Sequence, residues 1–231
     1  MNEELQSVQD EFLLSLAEVD ILLSSAEACT KDEAKYAAYN KSALLLLSGK
    51  FENFVEAVAE EYVFIVNNLN LRSSKIPDVM KLHHSYALLN KLENARKNGQ
   101  DDAKKILEEI GAVWVTNVNF NKLDIECKFN YGKHGEKELK KLFIPIGIDD
   151  IFEAVEINFC KENVEDDEKL QKIDFKGVFN SVMNMRNNIL HQNASPNLTL
   201  DRIREYQGIF KMFAAALVVL LDNYYTQLIP N

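Results

Sequence analysis

Apolar residues recur every three or four positions along most of the chain, which is the spacing of helices that bury one face. This pattern predicts a first helix over residues 3–28 and a long, central second helix over residues 32–68. Gly49 interrupts the second pattern, and we interpret it as a position of close helix packing. The first third of the chain is therefore predicted to be helical.

The same spacing predicts further helices. Pro77 lies in the first turn of a helix whose apolar side carries Val79, Leu82, Tyr86, Leu89 and Leu92. Shorter helices are predicted over residues 101–110 and 136–143. Two long helices, over residues 174–190 and 199–228, are predicted to form an antiparallel hairpin.

Two segments break the helical pattern. The stretch 112–131 includes apolar residues that alternate with period two, which indicates a small extended excursion or hairpin. The acidic segment 162–168 indicates a solvated loop or helix face. The sequence as a whole predicts an all-α fold, a bundle of long antiparallel helices in a single domain over residues 1–231.

Composition agrees with a helical core. The 231 residues are 47% hydrophobic, which excludes a disordered chain, and the 8 glycines and 4 prolines are too few for the many turns of an all-β fold. The N-terminus has no signal-peptide pattern, which predicts a cytoplasmic chain. The longest apolar run, residues 212–221, is shorter than the roughly 20 residues of a membrane span, so no membrane partner is predicted. Three widely spaced cysteines indicate reduced thiols.

Most enzyme signatures are absent, and no cofactor and no metal site are predicted. The histidines are the natural candidates for proton transfer near neutral pH. His83 and His84 are adjacent, and neighbours on a helix point about 100° apart, so we interpret them as surface or boundary residues. His134 lies in a lysine cluster (Lys133, Lys137, Lys140 and Lys141), which indicates a solvated surface or, alternatively, a surface that follows phosphates.

The most informative residues are Arg186, Asn187 and His191, near the end of the penultimate predicted helix. Arginine binds phosphate, histidine exchanges a proton, and asparagine orients either, so the set suits phosphodiester cleavage. Arg186 and His191 are five residues apart and diverge by about 140° on a helix. Both reach one phosphate only if His191 lies in the last turn, if Arg186 reaches far, or if a symmetric partner brings two helix ends together. The alternative is an ordinary helix stop.

The hexapeptide from Arg186 to His191 resembles the R-N-x-x-x-H form of the RxxxxH signature of the HEPN (higher eukaryotes and prokaryotes nucleotide-binding) superfamily. It also stands before a final apolar helix, as it does in that superfamily. Residues 42–54 and 138–148 are similar to the stand-alone bacterial MAE-type group. The resemblance covers approximately residues 32–225.

This resemblance implies a HEPN-like helical bundle that forms a homodimer in which both RxxxxH segments line one cleft. It implies a metal-independent endoribonuclease, a toxin or phage-defence effector, that cleaves RNA by attack of the 2′-OH. His191 would act as acid or base, Arg186 would stabilise the phosphorane, and Asn187 would occupy the polar position after the arginine. Gln192 replaces a frequent glycine, and Asn193 replaces a tyrosine that a nucleotidyltransferase antitoxin modifies in one subgroup, so control by that route is not expected.

The implied partners are RNA, a second copy of the chain, and an antitoxin or regulatory protein. The alternative from a different class is a non-catalytic HEPN-like helical module that binds a nucleotide or a protein partner. The formal net charge of −10 means that affinity for nucleic acid depends on a local basic patch and falls with salt.

Overall fold

The structure, a computed structural model, describes residues 1–97, 102–129, 134–162, 173–191 and 198–229, without the side chains of residues 157–162. Within these ranges the chain forms helices and no β-strand, which confirms the all-α prediction. In chain order the helices are α1 (Glu3–Ser15), α2 (Ala17–Ala28), α3 (Glu33–Asn68), α4 (Asp78–Lys97), α5 (Ala103–Trp114), α6 (Glu136–Phe143), α7 (Ile151–Glu162), α8 (Phe175–His191) and α9 (Leu200–Leu228).

Helix α3 is the central helix, as predicted, and α1, α2, α6, α8 and α9 pack against it. Asp32 caps its N-terminus by accepting a hydrogen bond from the backbone N–H of Lys35. Midway along the helix, the buried ring of Phe51 stacks on Phe210 of α9, with centroids 4.0 Å apart. Phe51 also lies 5.9 Å from Phe179 of α8, so this ring joins three of the long helices in the core.

Helix α9 packs on α1, α2, α3, α7 and α8. Among the described residues, it is the helix whose length and composition would allow it to cross a membrane. Core helices of soluble proteins meet the same criterion, and 44% of the apolar window of α9 is buried inside the structure. Thr199 caps the helix by accepting a hydrogen bond from the N–H of Arg202. The packing is consistent with a soluble protein.

The prediction of one helix over residues 3–28 is wrong, because the helix breaks at Leu16. The N–H of Leu16 bonds to the carbonyl of Leu13, a tighter turn than an α-helix makes, and α2 then begins at Ala17. The predicted apolar stripe nevertheless continues across the break, since Phe12, Leu16 and Val19 are all buried. No glycine or proline marks the bend, so the sequence pattern did not reveal it.

The apolar face predicted for α4 is also wrong. Leu82, Tyr86 and Leu89 are exposed, whereas Met80, His84 and Leu88 are among the residues that the helix buries. The buried face is partly polar because Trp114 and Asp124, later in the chain, donate hydrogen bonds to it. The N–H of Asp124 donates to Nδ1 of His84 at 2.9 Å, and the indole N–H of Trp114 donates to Ser85 Oγ at 3.0 Å.

The excursion predicted over residues 112–131 is present in part. Helix α5 continues to Trp114, and the described residues 115–129 are non-helical without forming a strand or a hairpin. An isolated antiparallel bridge joins Asn119 to Arg72. Helix α7 was not predicted, and the acidic segment 162–168 lies almost wholly outside the described residues.

Gly49 is exposed on α3, and a Cβ built there meets no atom within 4 Å, so its interpretation as a close-packing position is wrong.

Gly49→Ala is therefore expected to raise the free energy of unfolding by about 0.5–1 kcal/mol, because alanine loses less backbone entropy in a helix. Urea unfolding measures the change. Gly147→Ala is the opposite control, since Gly147 has a φ of 95° and alanine is strained there. A loss of stability in Gly49→Ala would contradict the open environment.

Burial lowers the pKa of His84, whose side chain is fully buried and accepts a hydrogen bond as the neutral ring. Protonation is thus favoured more in the unfolded chain, so this contribution to stability is complete above pH 6.5 and is lost as the pH falls through the lowered pKa. Glu109, Asp124 and Lys91 are the charged groups that also act on the ring. Urea unfolding at pH 7.5 and at pH 5 tests this contribution, with His84→Asn as the variant that keeps an acceptor and does not titrate. The free energy of unfolding should fall more between the two pH values in the wild type than in His84→Asn. Equal losses would contradict this role.

Candidate functional site

The side chain of Arg186 extends from α8 towards a carboxylate of α3. Its Nη2 atom lies 3.8 Å from Oε2 of Glu52, and the two side chains are 16% and 12% exposed. Glu52 stands among large apolar residues of α3, including Phe51 and Val55. A carboxylate in such surroundings requires a cationic or hydrogen-bonding partner, and Arg186 supplies a cation.

His134, just before α6, completes a cluster with these two residues. Its Nδ1 atom lies 2.7 Å from Oε1 of Glu52, and its Nε2 atom lies 3.5 Å from Nη2 of Arg186. The two atoms are in close polar contact without an aligned hydrogen bond, and neither has a hydrogen-bond partner among the described residues. The imidazole therefore stands between the carboxylate and the guanidinium. We call Glu52, His134 and Arg186 the α3–α8 polar cluster.

The cluster is held by contacts between α6 and α8. Glu136, at the start of α6, lies 2.8 Å from Nζ of Lys176 and accepts a hydrogen bond from Asn180 at 3.2 Å, both on α8. These bonds lower the pKa of Glu136 to about 2, the hydrogen bond with Lys176 contributing most. Because Glu136 follows His134 by two residues, its contacts place the imidazole beside α8.

Burial raises the pKa of Glu52, and the neighbouring charge of Glu56 acts in the same direction. Arg186 and His134 oppose this shift by stabilising the carboxylate. Glu56 lies one helical turn after Glu52 and accepts a hydrogen bond from the backbone N–H of Phe129. Two carboxylates of α3 thus contact Phe129 and His134, which precede α6.

The structure separates two of the residues that the sequence singled out. Asn187 is half-buried, and its Oδ1 accepts a hydrogen bond from Nη1 of Arg186 at 3.4 Å. His191 is exposed at the last position of α8 and makes no hydrogen bond or ion pair with any described residue. One protomer therefore joins Arg186 to Asn187 but not to His191. Gln192 and Asn193 lie outside the described residues.

Two of the four lysines in the cluster around His134 are paired with carboxylates. Lys140 lies 3.1 Å from Glu136 and also pairs with Asp150, and Lys141 lies 2.8 Å from Glu138. Lys133 lies outside the described residues. These pairs favour the interpretation of the cluster as a solvated, ion-paired surface.

A groove of about 390 Å³ runs close to the polar cluster. Its lining includes Lys128 and Lys141, which are ion-paired with Glu60 and Glu138, together with the carboxylate of Glu126 and the ring of Phe129. The Phe129 ring lies 6.2 Å from the imidazole of His134, centroid to centroid. Phe129 therefore connects the groove to the polar cluster and offers an aromatic face on which a base of single-stranded nucleic acid can stack.

Sequence analysis did not identify Glu52 as a site residue and assigned His134 to the surface. A signal for Glu52 was present, because a lone carboxylate between Phe51 and Phe54 on a core helix is buried only when a partner is near. No comparable signal marked His134, since its contact with Glu52 joins positions 82 residues apart. Only the packing of α6 on α3 and α8 brings them together.

Among the described residues, no group of three or more histidine, cysteine, aspartate or glutamate side chains could hold a metal ion. Cys29 and Cys127 are free thiols, as the sequence predicted for the cysteines. The chemistry available at the polar cluster is therefore that of one guanidinium, one imidazole, one carboxylate and the amide of Asn187.

The chain is similar to a known protein family over most of its length. The family model described as RiboL-PSP-HEPN matches residues 10–223. Searches of curated proteins and of solved structures gave no match. The matched range contains α8 and nearly all of α9.

Proposed function

Because the chain belongs to the RiboL-PSP-HEPN family, a group within the superfamily that the sequence indicated, we propose that it is a metal-independent endoribonuclease. Family membership alone indicates a nuclease or a nucleotide-binding module. The matched family is RiboL-PSP-HEPN rather than the MAE-type group. The proposal covers a single domain that acts in the cytoplasm as a toxin or phage-defence effector.

The observation that carries the proposal is the position of Arg186. Its guanidinium is held near the C-terminal end of α8 by Glu52 and Asn187, and it remains partly exposed. A fixed guanidinium with an open side can bind a phosphate and stabilise the extra negative charge of a phosphorane. Attack by the 2′-OH of RNA then needs only proton transfers, which imidazole groups provide near neutral pH.

The proposal includes a homodimer, because His191 makes no hydrogen bond or ion pair with the polar cluster among the described residues and diverges from Arg186 by about 140° around α8. An exposed imidazole at the end of α8 is available to a second chain. Leu190 beside it is 50% exposed, an apolar side chain that a partner would bury. A twofold axis near the ends of two α8 helices would place His191 of one chain beside Arg186 of the other.

RNA is the proposed substrate, and an antitoxin or regulatory protein is the proposed controlling partner. At a net charge of −10, the chain must bind RNA through a local surface, so binding should weaken steeply as salt increases. The groove next to the polar cluster carries Lys128 and Lys141, for which RNA phosphates would compete with Glu60 and Glu138.

The experiment compares the wild type with His191→Ala on a mixed RNA substrate in the presence of a metal chelator. The wild type should cleave and leave 2′,3′-cyclic phosphate ends, and His191→Ala should lose at least about 100-fold in rate because a proton-transfer group is gone. Asn184→Ala, at an exposed position on the same helix, is the matched control and should cleave as the wild type does. Absence of cleavage by a folded, dimeric wild type would overturn the proposal.

A second candidate is the non-catalytic module that binds a nucleotide or a protein partner. It is favoured by the ion pair between Arg186 and Glu52, which gives the arginine a structural partner already. This candidate predicts that the wild type binds RNA or a nucleotide without cleaving it. The same assay, run beside a binding measurement, separates the two functions.

A further inference from the structure

We propose that His134, oriented by Glu52, is the general base that takes the proton of the attacking 2′-OH in the RNA cleavage proposed above. The inference rests on that proposed function and adds a catalytic residue that lies outside the RxxxxH segment. It divides proton transfer between two histidines, His134 as the base and His191 as the acid.

The contacts of the imidazole define which nitrogen carries the proton. Nδ1 lies 2.7 Å from a Glu52 carboxylate oxygen, and two lone pairs would repel at that distance, so the proton lies on this side of the ring. Nε2 faces Nη2 of Arg186 at 3.5 Å, and a guanidinium can only donate. Nε2 therefore presents a lone pair, which is what a general base requires. Carboxylate, imidazole and lone pair follow the same order as in catalytic triads.

The position of Nε2 suits a phosphate bound to Arg186. A phosphate oxygen that accepts a hydrogen bond from Nη2 would lie about 3 Å from that nitrogen, within a few ångströms of Nε2. His134 is also the most exposed member of the cluster, at 24% against 16% for Arg186 and 12% for Glu52. Substrate can thus reach the imidazole while the carboxylate behind it stays shielded.

The groove beside His134 gives the RNA strand a path to the base. Phe129 lines the groove, and its ring lies 6.2 Å from the imidazole, centroid to centroid. Lys128 and Lys141 of the same lining can exchange their partners Glu60 and Glu138 for flanking phosphates. Glu56 holds the backbone of Phe129, so the aromatic ring has a fixed support. A nucleotide stacked on Phe129 would place its sugar near His134.

The proposed step is balanced in atoms and charge. Nε2 of His134 accepts the 2′-OH proton, the bond from the 2′ oxygen to phosphorus forms, and the bond from phosphorus to the 5′ oxygen breaks. The leaving 5′ oxygen takes a proton from the imidazolium of His191, and Arg186 stabilises the phosphorane. Glu52 stabilises the positive charge that forms on His134, so Glu52 is a positioning residue.

The test uses full-length His134→Asn, because an asparagine amide can still donate to Glu52 and spare the fold. Its kcat should fall by about 10²–10⁴ with little change in KM, and added imidazole should restore part of the rate. The acidic limb of the pH–rate profile, which reports protonation of the base, should also disappear. Lys105→Ala, at an exposed position on α5, is the control and should leave the profile unchanged.

Glu52→Gln tests the positioning role. A neutral amide no longer stabilises the imidazolium that forms in the reaction, so kcat should fall while KM stays within about twofold of the wild-type value. An effect of Glu52 on folding alone would lower the folded fraction and leave the kcat of the folded molecules unchanged.

The outcomes distinguish this inference from the function on which it rests. If the wild type cleaves RNA and folded His134→Asn cleaves within about threefold of it, with the acidic limb unchanged, the base assignment is overturned and the ribonuclease proposal stands. If the wild type does not cleave, both fail. Loss of kcat with rescue by imidazole supports the assignment.

Discussion

Arg186→Ala is expected to lose at least about 100-fold in RNA cleavage and to lower the free energy of unfolding by about 2–4 kcal/mol. The loss of activity follows from removal of the charge that stabilises the phosphorane. The loss of stability has a separate cause, because Glu52 is 12% exposed and would keep a carboxylate without its cationic partner. Cleavage assays and urea unfolding measure the two effects.

The double variant Arg186→Ala/Glu52→Gln separates these causes. The glutamine side chain carries no charge, so stability should return to within about 1 kcal/mol of the wild type while cleavage stays lost. Because burial already raises the pKa of Glu52, Glu52→Gln alone should cost little stability at neutral pH. If the double variant is as unstable as Arg186→Ala, the arginine acts on stability through packing and not through the carboxylate.

Phe51→Ala is expected to lower the free energy of unfolding by about 3–5 kcal/mol, the usual cost of removing a buried aromatic ring. The ring is 1% exposed and lies within 4.0–6.3 Å of five other phenylalanine rings, centroid to centroid. Those rings come from α1, α3, α8 and α9. The cavity left by alanine would border all four helices, so none of them could close it alone.

Phe64→Ala is the matched control for this change. Phe64 is on the same helix and is 56% exposed, so its removal should change stability by less than about 0.5 kcal/mol. Thermal or urea unfolding of the two variants measures the difference. Similar losses in both would contradict the central position of Phe51.

The long helices could be predicted because their signals are local. Asp32 and Thr199 cap α3 and α9, and the apolar stripes of both helices face the core. The face of α4 could not be predicted in this way. Its buried His84 and Ser85 depend on hydrogen bonds from Asp124 and Trp114, which lie 29–40 residues further along the chain. Periodicity assigned exposed Leu82 and Tyr86 to the core instead.

The candidate site shows the same division. Arg186 and Asn187 could be identified because they are adjacent in a short motif, and the structure joins them by a hydrogen bond. Glu52 and His134 belong to two different elements, and their distance depends on how α6 packs against α8 through Glu136. Spacing along one helix likewise predicted that Arg186 and His191 diverge, and in the structure His191 makes no hydrogen bond or ion pair with the polar cluster.

Mixing two inactive variants tests most directly whether RNA is cleaved at a site shared by two chains. His191→Ala and Arg186→Ala/Glu52→Gln are combined in equal amounts, allowed to exchange subunits, and assayed for RNA cleavage in chelator. A shared site predicts recovery of about a quarter of wild-type activity, since about half of the dimers are mixed and each mixed dimer keeps one complete site. No recovery, with subunit exchange confirmed and the wild type active, would contradict a site built from Arg186 of one chain and His191 of the other.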